Sequence, residues 1–135
     1  MQKPHLEGDL IFNMRVLVDT SVWINHTRGD DILLNLLSRE KVVMHPYVIG
    51  EFSLGTVSSR ESMLTEMRKL PQVSMATTKE ALSLIEEKRL DGSGVGLIDV
   101  FLLSSCLIDG NTQLLTADKK LAKVASELGI NFSAG

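Results

Sequence analysis

Met14-Arg15-Val16-Leu17-Val18-Asp19-Thr20-Ser21-Val22-Trp23-Ile24 is the stretch on which the fold turns. A valine-rich apolar run, Arg15–Val18, stops on the polar triplet Asp19-Thr20-Ser21, and an apolar helical pattern follows. That reads as a buried strand delivering an acid at its carboxyl end. Ser21 suits the cap of the helix that runs through Val22 to His26. Upstream, residues 1–13 hold no period. Lys3-Pro4-His5 and Glu7-Gly8-Asp9 interrupt them, and they read as an N-terminal extension or cloning scar before a native start at Met14, with Leu10-Ile11-Phe12 as a run able to pack.

Downstream, strand-like and helix-like segments alternate. Ile32, Leu33, Leu36 and Leu37 have helical spacing within Asp30–Arg39, and Lys41–His45 reads as a second strand. Pro46 opens a helix that carries Glu51 and ends near Val57. Arg60–Leu70 and the amphipathic Thr77–Leu90 are further helices, with Val73–Ala76 a short strand between them. After the glycine-rich loop Asp91–Gly96, Leu97–Ile108 is apolar nearly all round and should be a buried helix. Gln113–Thr116 reads as a strand, Asp118–Leu128 as a helix closed by Gly129, and Ile130-Asn131-Phe132 as a last strand. The alternation predicts one α/β domain over residues 14–135, a three-layer α/β/α sandwich around a parallel sheet of four to five strands.

Composition sets the bounds. The 135 residues, 44% hydrophobic, suffice for one core without disulfide staples. The single cysteine, Cys106, excludes a disulfide framework and a cysteine metal site, and fits a reducing, cytoplasmic location. No apolar run approaches a membrane span, and the N-terminus lacks the layout of a signal peptide. A net charge of -3 gives no overall basic field for nucleic acid.

Four acids sit within or against apolar runs: Asp19 after Val16-Leu17-Val18, Glu51 before Phe52, Asp99 within Leu97–Leu103, and Asp118 after Leu114-Leu115-Thr116-Ala117. Setting them aside leaves 13 acids against 14 bases, a near-neutral body with one acidic site. Clustered carboxylates are costly without a compensating charge, and no Lys or Arg is woven into these runs. A hard dication, Mg²⁺ or Mn²⁺, is the expected metal, with Asp19, Glu51, Asp99 and Asp118 as ligands and catalytic groups. Ligands of open α/β sheets bind beyond the carboxyl ends of the strands, where Asp19 and Asp118 fall. There a dication activates water and stabilises the oxyanions of displacement at phosphorus. Thr20, Ser21 and Thr116 are hydroxyl groups placed to support the acids. Lys119 and Lys120, next to Asp118, are the lysines best placed for a phosphate contact.

Blander roles compete with these. Asp118 suits the N-cap of the last helix, and Thr20, Ser21 and Thr116 serve equally as capping or turn residues. Trp23 and Cys106 read as core. Gly92, Gly94 and Gly96 follow a helix rather than a strand and form no phosphate-binding fingerprint.

The blocks Val18-Asp19-Thr20-Ser21-Val22-Trp23-Ile24, Glu51, Gly96-Leu97-Ile98-Asp99 and Leu115-Thr116-Ala117-Asp118-Lys119-Lys120-Leu121, in this order and spacing, resemble PIN-domain nucleases. Among these they look like the VapC-type toxins of toxin–antitoxin pairs, over Met14 to about Phe132. The resemblance implies a PIN-like fold, Mg²⁺-dependent endoribonuclease activity, a homodimer and inhibition by a cognate antitoxin. Phe101 departs from the many relatives that carry histidine two residues after the third acid, a difference that spares the acids and bears on substrate contacts.

Rival α/β sites are incomplete here. A receiver domain wants paired acids after the first strand, and a haloacid-dehalogenase-type phosphatase wants Asp-x-Asp, where Ser21 stands. Trp23 breaks the Asp-x-Ser-x-Ser of an adhesion site. The remaining alternative is a non-catalytic PIN-like RNA-binding or scaffold module, which usually lacks some of the acids. A homodimer is expected through Leu33, Leu36, Leu37, Met63, Leu64 and Met67, which give the early helices more apolar face than one sheet needs.

Overall fold

The computed structural model describes residues 14–133; the expected N-terminal extension lies outside the described residues. Strand β1 (Arg15–Val18) is central in a parallel sheet of order β2–β1–β3, with β2 at Val42–Val43 and β3 at Thr112–Leu115. Val16 pairs with Val42 on one side and Gln113 on the other, and Val18 with Leu115. Val16, Leu17 and Val18 are all buried, the signature of a parallel strand covered on both faces.

The helices are α1 (Thr20–Thr27), α2 (Ile32–Ser38), α3 (Pro46–Ser53), α4 (Arg60–Lys69), α5 (Thr78–Glu87), α6 (Leu97–Asp109) and α7 (Lys119–Glu127). The β1-to-β2 connection moves one way across the sheet through α1 and α2. The β2-to-β3 connection returns past β1 through α3 to α6. Right-handed crossovers in opposite directions put helices on opposite faces, which makes the three layers. Leu33, Phe52, Leu64, Leu102, Leu103 and Leu121 pack into the single core beside the expected Trp23 and Cys106.

The strand count differs from expectation. Val73–Ala76 and Ile130-Asn131-Phe132 form no strands; each edge of the sheet gains one isolated bridge, Met44 to Gln72 and Leu114 to Asn131. Backbone bonds around each bridge, Val73 N to Met44 O at 2.9 Å and Phe132 N to Leu114 O at 2.9 Å, stop after one partner. Three strands and two flanking bridges thus occupy the five expected positions. Ser21 does not cap α1: Asp19 is the N-cap, its carboxylate accepting from Thr20 N.

The expected dimer face also needs correction. Leu33, Leu36, Leu64 and Met67 are buried within the chain, where α2 packs beside α1 and α4 beside α3. The large hydrophobic side chains exposed in this half are Leu34, Tyr47 and Leu54.

Candidate active site

β1 runs outward to β2, whereas β3 runs through α7 toward Asn131 on the opposite edge. The crevice between the carboxyl ends of β1 and β3 is therefore the topological switch point, where open α/β sheets bind ligands. Asp19 and Thr116 meet there, Thr116 Oγ1 donating to Asp19 Oδ2 at 2.7 Å. Ser21 Oγ donates to the same oxygen at 3.0 Å, and Thr20 N donates to Oδ1 at 2.8 Å. Asp19 is 6% exposed, so three protein donors offset the loss of water around its charge.

The hydroxyls do more than satisfy Asp19. Ser21 Oγ accepts from Ala117 N at 3.0 Å, and Thr116 Oγ1 accepts from Asp118 N at 3.0 Å. The first turn of α1 is thereby laced to the segment that presents Asp118. Thr20 Oγ1 donates to Glu51 Oε1 at 2.9 Å, joining the second acid to the first helix. Supporting roles and turn roles coincide in these residues.

The acids differ in setting. Only Asp19 is buried; Glu51 and Asp99 are half-buried, and Asp118 is exposed. The apolar neighbours of Glu51, Val48 and Phe52, take the inward face of α3 and leave Glu51 on its flank. Asp118 stands one residue before α7 as its N-cap, Oδ1 accepting from Lys120 N at 2.8 Å and Leu121 N at 3.2 Å. Asp99 lies in the first turn of α6, Oδ2 accepting from Gly96 N at 3.0 Å. Burial pushes the Asp99 carboxyl above its ordinary range, and the charges of Asp19, Asp118 and Glu51 push the same way against the Gly96 bond. The four carboxylates therefore share one electrostatic field.

Among the described residues, no group of three or more Asp, Glu, His or Cys side chains forms a ready-made metal cage. Bare carboxylates repel, and here each turns toward a protein N–H or O–H. The three ion pairs among the described residues use other acids, so no basic side chain among these residues pairs with the four. An all-oxygen donor set with unbalanced negative charge suits a hard dication, and these residues fit one.

Lys119 and Lys120 are exposed beside Asp118. The Lys120 stem crosses Gly94, where an added Cβ would come within 2.6 Å of Cδ and 3.4 Å of Nζ. Gly94 has a φ of +90°, so this glycine serves both the turn and the close approach. His45, expected only as the end of the second strand, is the N-cap of α3, its Nδ1 accepting from Tyr47 N at 3.0 Å; His45-Pro46 ahead of an apolar run is the helix-start signal that points to it.

The family model described as PIN domain matches residues 16–127. The chain belongs to the PIN-domain family, and within it groups with the VapC-type ribonucleases. Two proteins named Ribonuclease VapC32, from two strains of Mycobacterium tuberculosis, are each 40% identical over 116 residues. The match covers 85% of this chain and 94% of each relative.

Proposed function

We propose that this chain is an endoribonuclease dependent on Mg²⁺ or Mn²⁺ and acts as the toxin of a toxin–antitoxin pair. The observation that carries the reading is the common field of Asp19, Glu51, Asp99 and Asp118, with no basic side chain among the described residues paired to it. Asp19, Glu51, Asp99 and Asp118 would hold the dication. When bound, it supplies Lewis acidity at phosphorus and lowers the pKa of water.

The protein's own groups position the site. Thr116 and Ser21 fix one oxygen of Asp19, and Thr20 orients Glu51. Gly96 N holds Asp99, and the N-cap bonds hold Asp118 on Oδ1. Lys119 and Lys120 offer ammonium groups to RNA phosphates flanking the cleaved bond. Residues 14–135 would form the nuclease domain, preceded by residues 1–13 as an extension.

A cognate antitoxin laid across the acidic crevice would block it, and the cytoplasm is the setting of both partners. A homodimer is part of the proposal, with Leu34 and Leu54 as candidate apolar contacts. No helix among the described residues is long and apolar enough to cross a membrane. Retention of all four acids weighs against the non-catalytic RNA-binding or scaffold module.

The test is cleavage of single-stranded and looped RNA across a metal titration. Mg²⁺ or Mn²⁺ should support cutting, Ca²⁺ should support it poorly, and EDTA should abolish it. Full activity in excess chelator overturns the metal mechanism.

A further inference from the structure

Tyr47, Gly50, Glu51 and Leu54 fall on one stripe of α3 and its end, at spacings of three, four and seven residues from Tyr47. Val48 and Phe52 take the opposite, buried side of the helix. Leu54 is 86% exposed. Tyr47 is 38% exposed yet held by two rings: Phe101 meets it edge to face at 5.2 Å, and His45 packs tilted at 4.8 Å. Phe101 is two residues past Asp99, so the contact ties Tyr47 to the helix of the third acid. A ring held by two neighbours on a residue that is still partly exposed offers a stacking platform at low entropic cost.

Gly50 is the independent observation. It lies inside a helix, where glycine is unfavourable by about 1 kcal/mol relative to alanine. Beyond its own helix backbone and chain neighbours, no atom stands within 4 Å of the Cβ it lacks, and it has no positive φ, so neither tertiary packing nor backbone geometry requires glycine there. Its effect is a notch on the exposed stripe between Tyr47 and Leu54, directly before Glu51.

We propose that Tyr47 is a nucleobase-stacking subsite: an unpaired RNA base lies on its ring, and the strand passes over Gly50 toward the carboxylates. The subsite rests on the ribonuclease reading and adds to it the part that grips single-stranded substrate. Stacking on an aromatic ring tolerates any base, so the subsite selects unpaired strand rather than sequence.

The test uses the whole chain and a short fluorescein-labelled single-stranded RNA in Ca²⁺, alongside copies of that RNA with an abasic ribose at each position in turn. Tyr47→Ala should weaken binding about 5- to 100-fold, and Tyr47→Phe should stay within about threefold of wild type. One abasic position should weaken wild type by a similar factor and leave Tyr47→Ala unaffected, the coupling expected of direct contact. In Mg²⁺, Tyr47→Ala should raise KM far more than it lowers kcat. Gly50→Ala should melt about 2–5 °C higher through helix propensity and still bind RNA more weakly.

Equal losses for every abasic strand in both proteins would make Tyr47 a structural residue and overturn the subsite. So would a Gly50→Ala variant that binds as wild type does. A wild type that cuts RNA beside a Tyr47→Ala that cuts it equally well sinks the subsite alone. A wild type that neither binds nor cuts RNA sinks the ribonuclease reading with it.

Discussion

Thr20 Oγ1 donates to Glu51 Oε1 at 2.9 Å, across 31 residues of sequence, while Thr20 N donates to Asp19. One residue therefore orients two acids, through its backbone toward the first and its hydroxyl toward the second. A hydrogen bond to a charged group is worth about 1.5–3 kcal/mol, and half-buried Glu51 recovers part of that from water.

Thr20→Val keeps the shape and the backbone bond but removes the hydroxyl. Its kcat/KM should fall about tenfold, with stability changed by about 1 kcal/mol or less. Thr20→Ser should retain most activity. RNA cleavage assays with parallel melts check this; an unchanged Thr20→Val would show that Glu51 needs no orientation.

Asp99 carries the clearest electrostatic consequence. Its folded-state pKa lies above the ordinary 3.8, so in the window just above 3.8 the folded chain binds more protons than the unfolded one. Its contribution to stability therefore falls as pH rises through that window and stays unfavourable at neutral pH without metal. Asp99→Asn should melt at or above wild type in EDTA at pH 7, with the gap closing below pH 3.8. Added Mg²⁺ should stabilise the variant less, and RNA cleavage should drop by about 100-fold or more. A variant that melts far lower in EDTA yet cuts RNA would make Asp99 a structural acid.

His45 gives the opposite pH slope. Burial lowers its pKa from 6.5 to about 4, and its Nδ1 accepts from Tyr47 N, leaving the neutral ring protonated at Nε2. Its contribution to stability is complete above pH 6.5 and is lost as pH falls toward 4, on the order of 2–3 kcal/mol. His45→Asn keeps an N-cap oxygen and removes the titration. Urea melts at pH 7, 5.5 and 4 should show a flatter acid slope for the variant; parallel slopes would refute the assignment.

Cys106 is fully buried in α6, and burial together with Asp109 pushes its thiol up to about 12. The native protein should resist iodoacetamide at pH 8 and react at once in denaturant. Rapid modification of the native form, followed by mass spectrometry, would show that α6 opens readily.

The sequence by itself determined the alternation of elements, the termination of β1 on Asp19 and the chain order of the four acids. Those features are local: hydrophobic period, Pro46 and Thr77 at helix starts, and Gly110 and Gly129 with positive φ at helix ends. What the tertiary structure decided depends on atoms distant in the chain. Thr116 reaches Asp19 across 97 residues, and Ser21 bridges to Ala117 instead of capping its own helix. Apolar period at Leu33, Leu36, Leu64 and Met67 marks a face without saying what covers it; here the chain's own core does. Val73–Ala76 and Ile130-Asn131-Phe132 have strand composition, yet a strand exists only as long as its neighbour offers partners, and each edge holds one bridge, at Gln72 and at Asn131. Val48 and Phe52 are buried while Glu51 between them stays half-buried on the flank of α3, because a helix sorts side chains by angle rather than by adjacency.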